Sequence, residues 1–417
     1  MTETKQEKER VIIVGVEHEG NYQYFEESML ELKNLTKTAE GEVVFSLTQK
    51  RPQIDRRTVI GKGKIAELVT LIETYEANLV IFNHELTPRQ SQTIGDALGI
   101  PVIDRVQVIL DIFAMRARSK EGKLQVELAQ LEYLLPRLMG QGKMMSRLGG
   151  GIGTRGPGET KLETDRRHIR NKVTIIKKEL KEVEAHRIRT RQKRQINDTF
   201  QIGLIGYTNA GKSTILNALT KAQTYEEDQL FATLDPLTKK WRLPEGFEVT
   251  LTDTVGFIQD LPTQLINAFH STLEESRNMD LLLHVVDASS DNRQQHEETV
   301  LKLMEELDLT GIPVLTVYNK ADQMNPATFV PTLFPSVLIS AKSLSGKEQL
   351  SQAIKLSIME ILQPYTLTVA SHEGNTLNQL KKETLLVTAD FDPETQRYVA
   401  KGFAPPYSFA IRLMEDN

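Results

Sequence analysis

The chain has 417 residues, 39% hydrophobic and 26% charged, with a formal net charge of -5 and no cysteine. Its length asks for about two to four hydrophobic cores, and the missing thiols exclude a disulfide scaffold, a cysteine nucleophile and a cysteine-based zinc site. Sixteen Lys/Arg stand against six Asp/Glu between Gln141 and Gln195, so one basic segment sits in an otherwise acidic chain; neither a signal segment nor a run of about eighteen apolar residues is visible, which implies a cytoplasmic protein with no transmembrane association, with peripheral membrane attachment as the second reading.

From residue 10 to 119, short apolar runs alternate with helical patterns. Strands are expected over 11–15, 42–47, 79–82 and 101–103, and helices over 24–35, 65–75, 88–98 and from about 106. Apolar runs of four or five between helices are what a parallel sheet covered on both faces requires, so residues 10–119 should form a first α/β domain. Gly61, Lys62, Gly63 and Lys64 open one helix and could meet an anion there. Without a G-K-[ST] ending, a helix-entry loop or a backbone contact to RNA phosphate fits them better than a second nucleotide pocket.

Residues 120–196 carry two helical stripes, Leu124, Leu128, Leu131, Leu135 and Leu138, then Leu162, Ile169, Val173, Ile176, Leu180 and Val183. Two such helices joined by a loop suggest an antiparallel hairpin packed seam to seam. The connection over 140–159 holds eight glycines among twenty residues, and Lys143, Arg147 and Arg155 add charge where glycine allows close backbone approach. Arg166, Arg167 and Arg170 continue the positive charge along the second helix. A solvated charged face would look the same, but the glycine-rich basic tip favours a polyanion, and structured RNA over DNA because no groove-reading motif is present.

Residues 199–363 carry the chemistry. A buried strand over 199–205 runs into Gly206, Tyr207, Thr208, Asn209, Ala210, Gly211, Lys212 and Ser213, followed by a helix that begins near Thr214. This G-x-x-x-x-G-K-S loop between strand and helix points backbone N–H groups and a helix N-terminus at a phosphate chain. Lys212 would reach the β and γ phosphates, and Ser213 would offer its hydroxyl to Mg2+. Next come Phe231, Ala232, Thr233, Leu234 and Asp235 in a stretch rich in turn residues. Thr233 is placed to give Mg2+ a second hydroxyl and the γ phosphate an N–H. A hairpin over 237–252 then ends in Asp253, Thr254, Val255 and Gly256. Asp253 could hold a magnesium-bound water, and the Gly256 N–H could bond the γ phosphate only while that group exists. Lys212, Thr233 and Gly256 are therefore the candidate catalytic groups. Buried strands over 280–287 and 312–318 lead to Asn319, Lys320 and Asp322, and a further strand ends in Ser340, Ala341 and Lys342. The Asp322 carboxylate matches the N1–H and amino donors of guanine, a pattern adenine lacks, and the Ala341 N–H would meet the guanine carbonyl. Beyond Leu362 a linker is expected, then a small β-containing tail over 364–417.

With these residues assembled, the chain resembles the HflX family of translation-factor-related P-loop GTPases over nearly its full length. The stretches 206–213, 231–235, 253–257, 319–322 and 340–342 follow the five GTPase motifs, and 111–117, 121–130 and 153–160 are similar to signatures of that family. The resemblance implies an α/β protein in which a P-loop GTPase domain follows a smaller α/β domain and a helical hairpin and precedes a small α+β tail domain. It implies hydrolysis of GTP to GDP and phosphate with Mg2+ by a monomer. It further implies binding to the large ribosomal subunit and its rRNA, and splitting or rescue of stalled or hibernating ribosomes under stress. The alternative is a nucleotide-gated RNA- or ribosome-binding module in which hydrolysis is incidental. Many GTPases place Gln after D-x-x-G to orient the attacking water; Phe257 stands there, so turnover should be slow until a partner, the ribosome, completes the site. Asn209 could hold K+ in the cradle or merely shape the loop.

Overall fold

The computed structural model describes residues 8–138, 161–194, 199–220, 230–231, 236–254, 256–258 and 274–415. The chain divides into two compact units, residues 1–183 with 260–269, and residues 184–259 with 270–417.

The first unit begins with β1 (Arg10–Glu17), α1 (Phe25–Thr38), β2 (Glu42–Lys50), α2 (Lys62–Tyr75), β3 (Leu79–Phe82), α3 (Pro88–Leu98), β4 (Val102–Asp104) and α4 (Arg105–Arg116). Its sheet has the order β2-β1-β3-β4 with every pair parallel, as the apolar runs imply. Val11 to Val14 and Leu79 to Phe82 are buried along their whole length, because helices cover both faces. Local chemistry sets the helix starts. Thr87 and Gln90 make a reciprocal capping box with Pro88 at the first helical position, and Asp104 caps α4 by accepting the Gln107 N–H.

Next comes α5 (Lys120–Arg137), which packs on α4. Its deeply buried face is Gly122, Gln125, Val126, Ala129 and Tyr133 rather than the leucine stripe, of which Leu128 alone is fully buried. The interaction behind this choice is a buried polar knot. Asp104, with no exposed surface, accepts from the Leu86 N–H at 2.9 Å, the Gln107 N–H at 3.0 Å, the Tyr133 hydroxyl at 2.7 Å and Arg137 Nη2 at 3.0 Å. The Arg137 guanidinium lies 3.3 Å over the Tyr133 ring. Burial, then the Asp104 charge, pushes the Tyr133 phenol far above its usual range, so it remains a donor.

The long helix α6 (Lys161–Arg194) meets α5 through Lys172–Glu127 and, at 2.8 Å, Lys177–Glu132. A third pair, Lys120–Glu179 at 4.0 Å, joins the start of α5 to the middle of α6. Ile176 is buried there while Ile169, Val173 and Leu180 are half-buried. The glycine-rich connection lies outside the described residues.

In the second unit a six-stranded sheet has the order β10-β9-β8-β5-β7-β6. Its strands are β5 (Phe200–Gly206), β6 (Leu237–Arg242), β7 (Glu248–Asp253), β8 (Leu281–Asp287), β9 (Val314–Asn319) and β10 (Ser336–Leu338). All pairs are parallel except the β6–β7 hairpin. The helices α7 (Lys212–Thr220), α8 (Arg293–Glu306) and α9 (Leu344–Ile361) accompany it, and Ile202, Leu204, Ile215, Val249, Leu283, Val317 and Ile354 form its core.

The expected linker after Leu362 is instead a strand, β11 (Gln363–Ala370), which pairs antiparallel with β13 (Arg397–Ala404). Tyr365, Leu367 and Val369 alternate inward, a period-2 pattern masked in sequence by Pro364, Thr366 and Thr368. With α10 (Gly374–Glu383), β12 (Leu385–Asp392) and α11 (Phe409–Glu415) this makes a three-stranded α+β tail of order β11-β13-β12. Leu385 belongs to the core of the six-stranded sheet and Phe403 packs against it. At the β6–β7 turn, Glu245 pairs with Lys355 at 2.5 Å, and Gly246 lies against Lys381 of α10.

Removing one donor from the Asp104 knot tests its role. Tyr133→Phe should lower stability by about 2 kcal/mol, the usual effect of deleting a hydrogen bond to a buried charged group, read as an earlier urea-induced unfolding transition.

Candidate functional site

Four of the parallel strands end at one edge of the second unit's sheet, and their last residues are Gly206, Asp253, Asp287 and Asn319. Outside the carboxyl ends of such strands is where a doubly wound sheet leaves room for a ligand. Strand pairing holds these ends level: Leu204 lies opposite Asp253, Gly206 opposite Val285, and Asp287 opposite Asn319.

The cradle 206–213 has the shape its spacing predicts. Gly206 (φ +152°) and Gly211 (φ +98°) allow close backbone approach: a Cβ on either would come within 2.2 Å of the Val285 carbonyl oxygen or of Asn319 Nδ2. Asn209 takes the left-handed conformation, φ +59°. Lys212, at the first turn of α7, is 6% exposed and folds back to donate to the Gly206 and Tyr207 carbonyls at 3.0 and 2.9 Å. Burial pushes its ammonium down to about 8, partly offset by Asp253. His284, buried in β8, is pushed down to about 4 by burial and by the Lys212 charge, so it is neutral beside the lysine.

The Ser213 hydroxyl donates to Asp253 Oδ2 at 2.7 Å. A serine hydroxyl oxygen can ligate a hard cation, and here a carboxylate stands beside it. This donor set fits a Mg2+ held by few protein oxygens; among the described residues there is no cluster of three or more His, Asp or Glu that could hold a metal. Thr233 lies outside the described residues, with Ala232, Leu234, Asp235 and Val255. Phe231 is buried with φ +56°. The Thr254 hydroxyl turns away from the cradle to donate to the Leu204 carbonyl at 2.7 Å, whereas Gly256 borders it: a Cβ there would sit 3.1 Å from Lys212 Nζ. Thr214 is half-buried in the first turn of α7.

Phe257 is 2% exposed, and its backbone pairs with the cradle. Its N–H donates to the Gly206 carbonyl at 3.1 Å and its carbonyl accepts the Thr208 N–H at 2.7 Å. The residue after D-x-x-G is thus a core side chain, not one facing a reacting phosphate. The Tyr207 ring stacks on His296 of α8, centroids 4.0 Å apart.

At the far end of the cradle, the buried Asn319 amide donates to the Ala210 carbonyl at 3.0 Å and accepts the Ala341 N–H at 3.0 Å. The N–H expected to meet a guanine carbonyl is therefore bonded to Asn319, and a base would have to share it. Lys320 pairs with Asp287 at 2.7 Å. Asp322 is exposed, and its carboxyl is held below the usual range first by a hydrogen bond from Ser340, with Lys342 and Lys320 contributing. Such an ionised carboxylate can accept two donors from a base edge. Asn319 as a bridge and His284 beneath Lys212 were not foreseen; the one sequence signal for the latter is a lone histidine inside an apolar strand.

In the first unit, Arg166 of α6 is half-buried, and Arg167 and Arg170 are exposed. Lys143, Arg147 and Arg155 lie outside the described residues. Among the described residues no helix is long and apolar enough to cross a membrane.

Three family profiles match the chain: "GTP-binding GTPase N-terminal" over residues 26–114, "GTP-binding GTPase Middle Region" over 116–194, and "50S ribosome-binding GTPase" over 201–320. Relatives described as GTPase HflX are similar over most of its length. One from Alkalihalophilus pseudofirmus is 54% identical over 397 residues, covering 95% of this chain and 94% of its own. One from Caldanaerobacter subterraneus subsp. tengcongensis is 48% identical, covering 94% and 90%. One from Escherichia coli is 41% identical over 355 residues, covering 84% and 83%.

The Lys212 geometry makes a prediction about protons. A phosphate chain in the cradle stabilises the ammonium and raises its pKa again, so near pH 8 binding should take up about half a proton, and more toward pH 9. Calorimetric titration of GDP in buffers of different ionisation enthalpy reads this directly. His284 stays neutral throughout that range, so no uptake would place the phosphates away from Lys212.

Proposed function

The chain belongs to the HflX family of GTPases, and from that premise we propose that it is a GTP-driven factor of the large ribosomal subunit that splits or rescues stalled or hibernating ribosomes under stress. GTP is cleaved to GDP and phosphate. In our reading the nucleotide lies along 206–214, with Lys212, Thr233 and Gly256 at the γ phosphate, Phe231 and residues 232–235 over it, and residues 253–256 beside it. Lys212 supplies positive charge to the oxygens that gain negative charge as the γ phosphorus–oxygen bond breaks. Ser213, Thr233 and, through water, Asp253 would hold Mg2+, which when bound neutralises charge on the β and γ oxygens. Asn319, Lys320, Asp322, Ser340, Ala341 and Lys342 would hold the base.

What carries the ribosomal part is the profile described as 50S ribosome-binding over residues 201–320, together with the exposed positive charge of α6. In our reading residues 10–119 and 120–196 form the part that contacts rRNA, with Arg166, Arg167 and Arg170 and the loop residues Lys143, Arg147 and Arg155 as phosphate contacts. The protein works in the cytoplasm as a monomer. The buried Phe257 supports slow turnover in isolation, since no side chain at that position orients water, and Asn209 is the cradle residue that would hold K+.

Two measurements test this reading. GTP turnover by the purified protein should rise at least tenfold on adding large ribosomal subunits, and more in potassium than in sodium salts. Tight GTP binding with no stimulation would favour a nucleotide-gated binding module, and equal rates in the two salts would remove K+. For the base, Asp322→Asn replaces two acceptors by one acceptor and one donor. It should weaken GTP by tenfold or more and improve XTP, whose C2 carbonyl accepts where guanine donates; unchanged selectivity would move the base elsewhere.

A further inference from the structure

Thr208 stands out within the cradle. It is 7% exposed, yet its hydroxyl oxygen is buried without a hydrogen-bond partner among the described residues. Buried hydroxyls are nearly always satisfied, and the exceptions call for a partner that arrives later or for a catalytic role. Its own N–H is already donated to the Phe257 carbonyl at 2.7 Å, so the hydroxyl is the donor this residue has left to offer.

Its surroundings say to what. A Cβ on Gly256 would lie 3.0 Å from Thr208 Cγ2, 3.2 Å from Thr208 Cα and 3.1 Å from Lys212 Nζ. The Thr208 methyl, the lysine ammonium and the Gly256 backbone therefore meet at one small space at the Lys212 end of the cradle, and the Thr208 hydroxyl is carried on the same carbon as that methyl. Phe257 brings no polar group to that space, because its side chain is in the core and both its backbone groups are bonded to the cradle.

We propose that the Thr208 hydroxyl is a substrate-contacting donor that hydrogen-bonds a non-bridging oxygen of the terminal phosphoryl group of GTP. As water oxygen bonds to the γ phosphorus and the bond to the bridging oxygen breaks, GDP leaves with the electron pair and the water proton ends on inorganic phosphate. Charge spreads over the γ oxygens meanwhile, and a donor fixed there in advance lowers the barrier without further reorganisation. Thr208 thereby provides from the cradle side a polar contact that Phe257 does not provide from the other. This rests on the assignment of residues 206–214 to the phosphates.

The test compares Thr208→Val, which exchanges the hydroxyl for a methyl of the same shape, with Thr208→Ser, which keeps it. Single-turnover hydrolysis is measured at saturating GTP, with GDP affinity and the melting temperature of nucleotide-free protein. For Thr208→Val, hydrolysis should slow tenfold or more, GDP affinity should stay within threefold because GDP lacks the contacted group, and the empty protein should melt no lower, since a partnerless buried polar atom has been removed. Thr208→Ser should recover at least a third of the rate. Hydrolysis by Thr208→Val within twofold of the parent overturns the proposal. So does a parallel loss of GDP affinity and melting temperature, or a Thr208→Ser variant as slow as Thr208→Val, since each places the effect on loop packing. Lys212→Ala separates the two levels: if it still binds GTP as tightly as the parent, the phosphate assignment itself fails.

Discussion

One buried side-chain amide holds the site in register. Asn319 ends β9, donates to the cradle at Ala210 and accepts from the Ala341 backbone, so loops from opposite ends of the site meet on a single planar group. Because that amide passes directly over Gly211, no side chain can be tolerated there. The glycine is demanded as much by the asparagine as by any phosphate. Removing the amide would leave a carbonyl and an N–H buried without partners, and two loops without a common reference.

The coupling between the cradle and the D-T-V-G segment has a similar economy. Phe257 is anchored twice, by its ring in the core and by its backbone on Gly206 and Thr208. Whatever alters the position of Gly256 must act through a residue already bound to the loop that would hold the phosphates. The position of Gly256 and the geometry of the cradle are thus linked over a span of very few atoms.

Much of this was legible in the chain itself. The alternation of short apolar runs with helical patterns specified the parallel sheet of the first unit and the parallel strands of the second, because strands buried on both faces admit little else. The cradle, the D-T-V-G segment, Asn319 and Asp322 were legible because their spacing follows from the shape of a nucleotide. Two features were not. β11 was hidden because Pro364 and two threonines interrupt what Tyr365, Leu367 and Val369 say. The buried face of α5 was mistaken because a glutamine, a glycine and a tyrosine occupy it, and Tyr133 is inside for the sake of Asp104, a residue 29 positions earlier. In each case the missing information was a long-range partner.

The tail is built into the second unit rather than appended to it. Leu385 and Phe403 help to fill the core of the six-stranded sheet, and the turn of the β6–β7 hairpin rests on α10 and α9. A segment that supplies part of its neighbour's interior cannot be exchanged as a cassette. Its loss would open a hole beneath the hairpin that connects residues 231–235 to residues 253–257, so selection on turnover also constrains the tail. The last fifty residues are in this sense inherited with the enzyme, and changes on the two sides of the shared core should be found to covary across lineages.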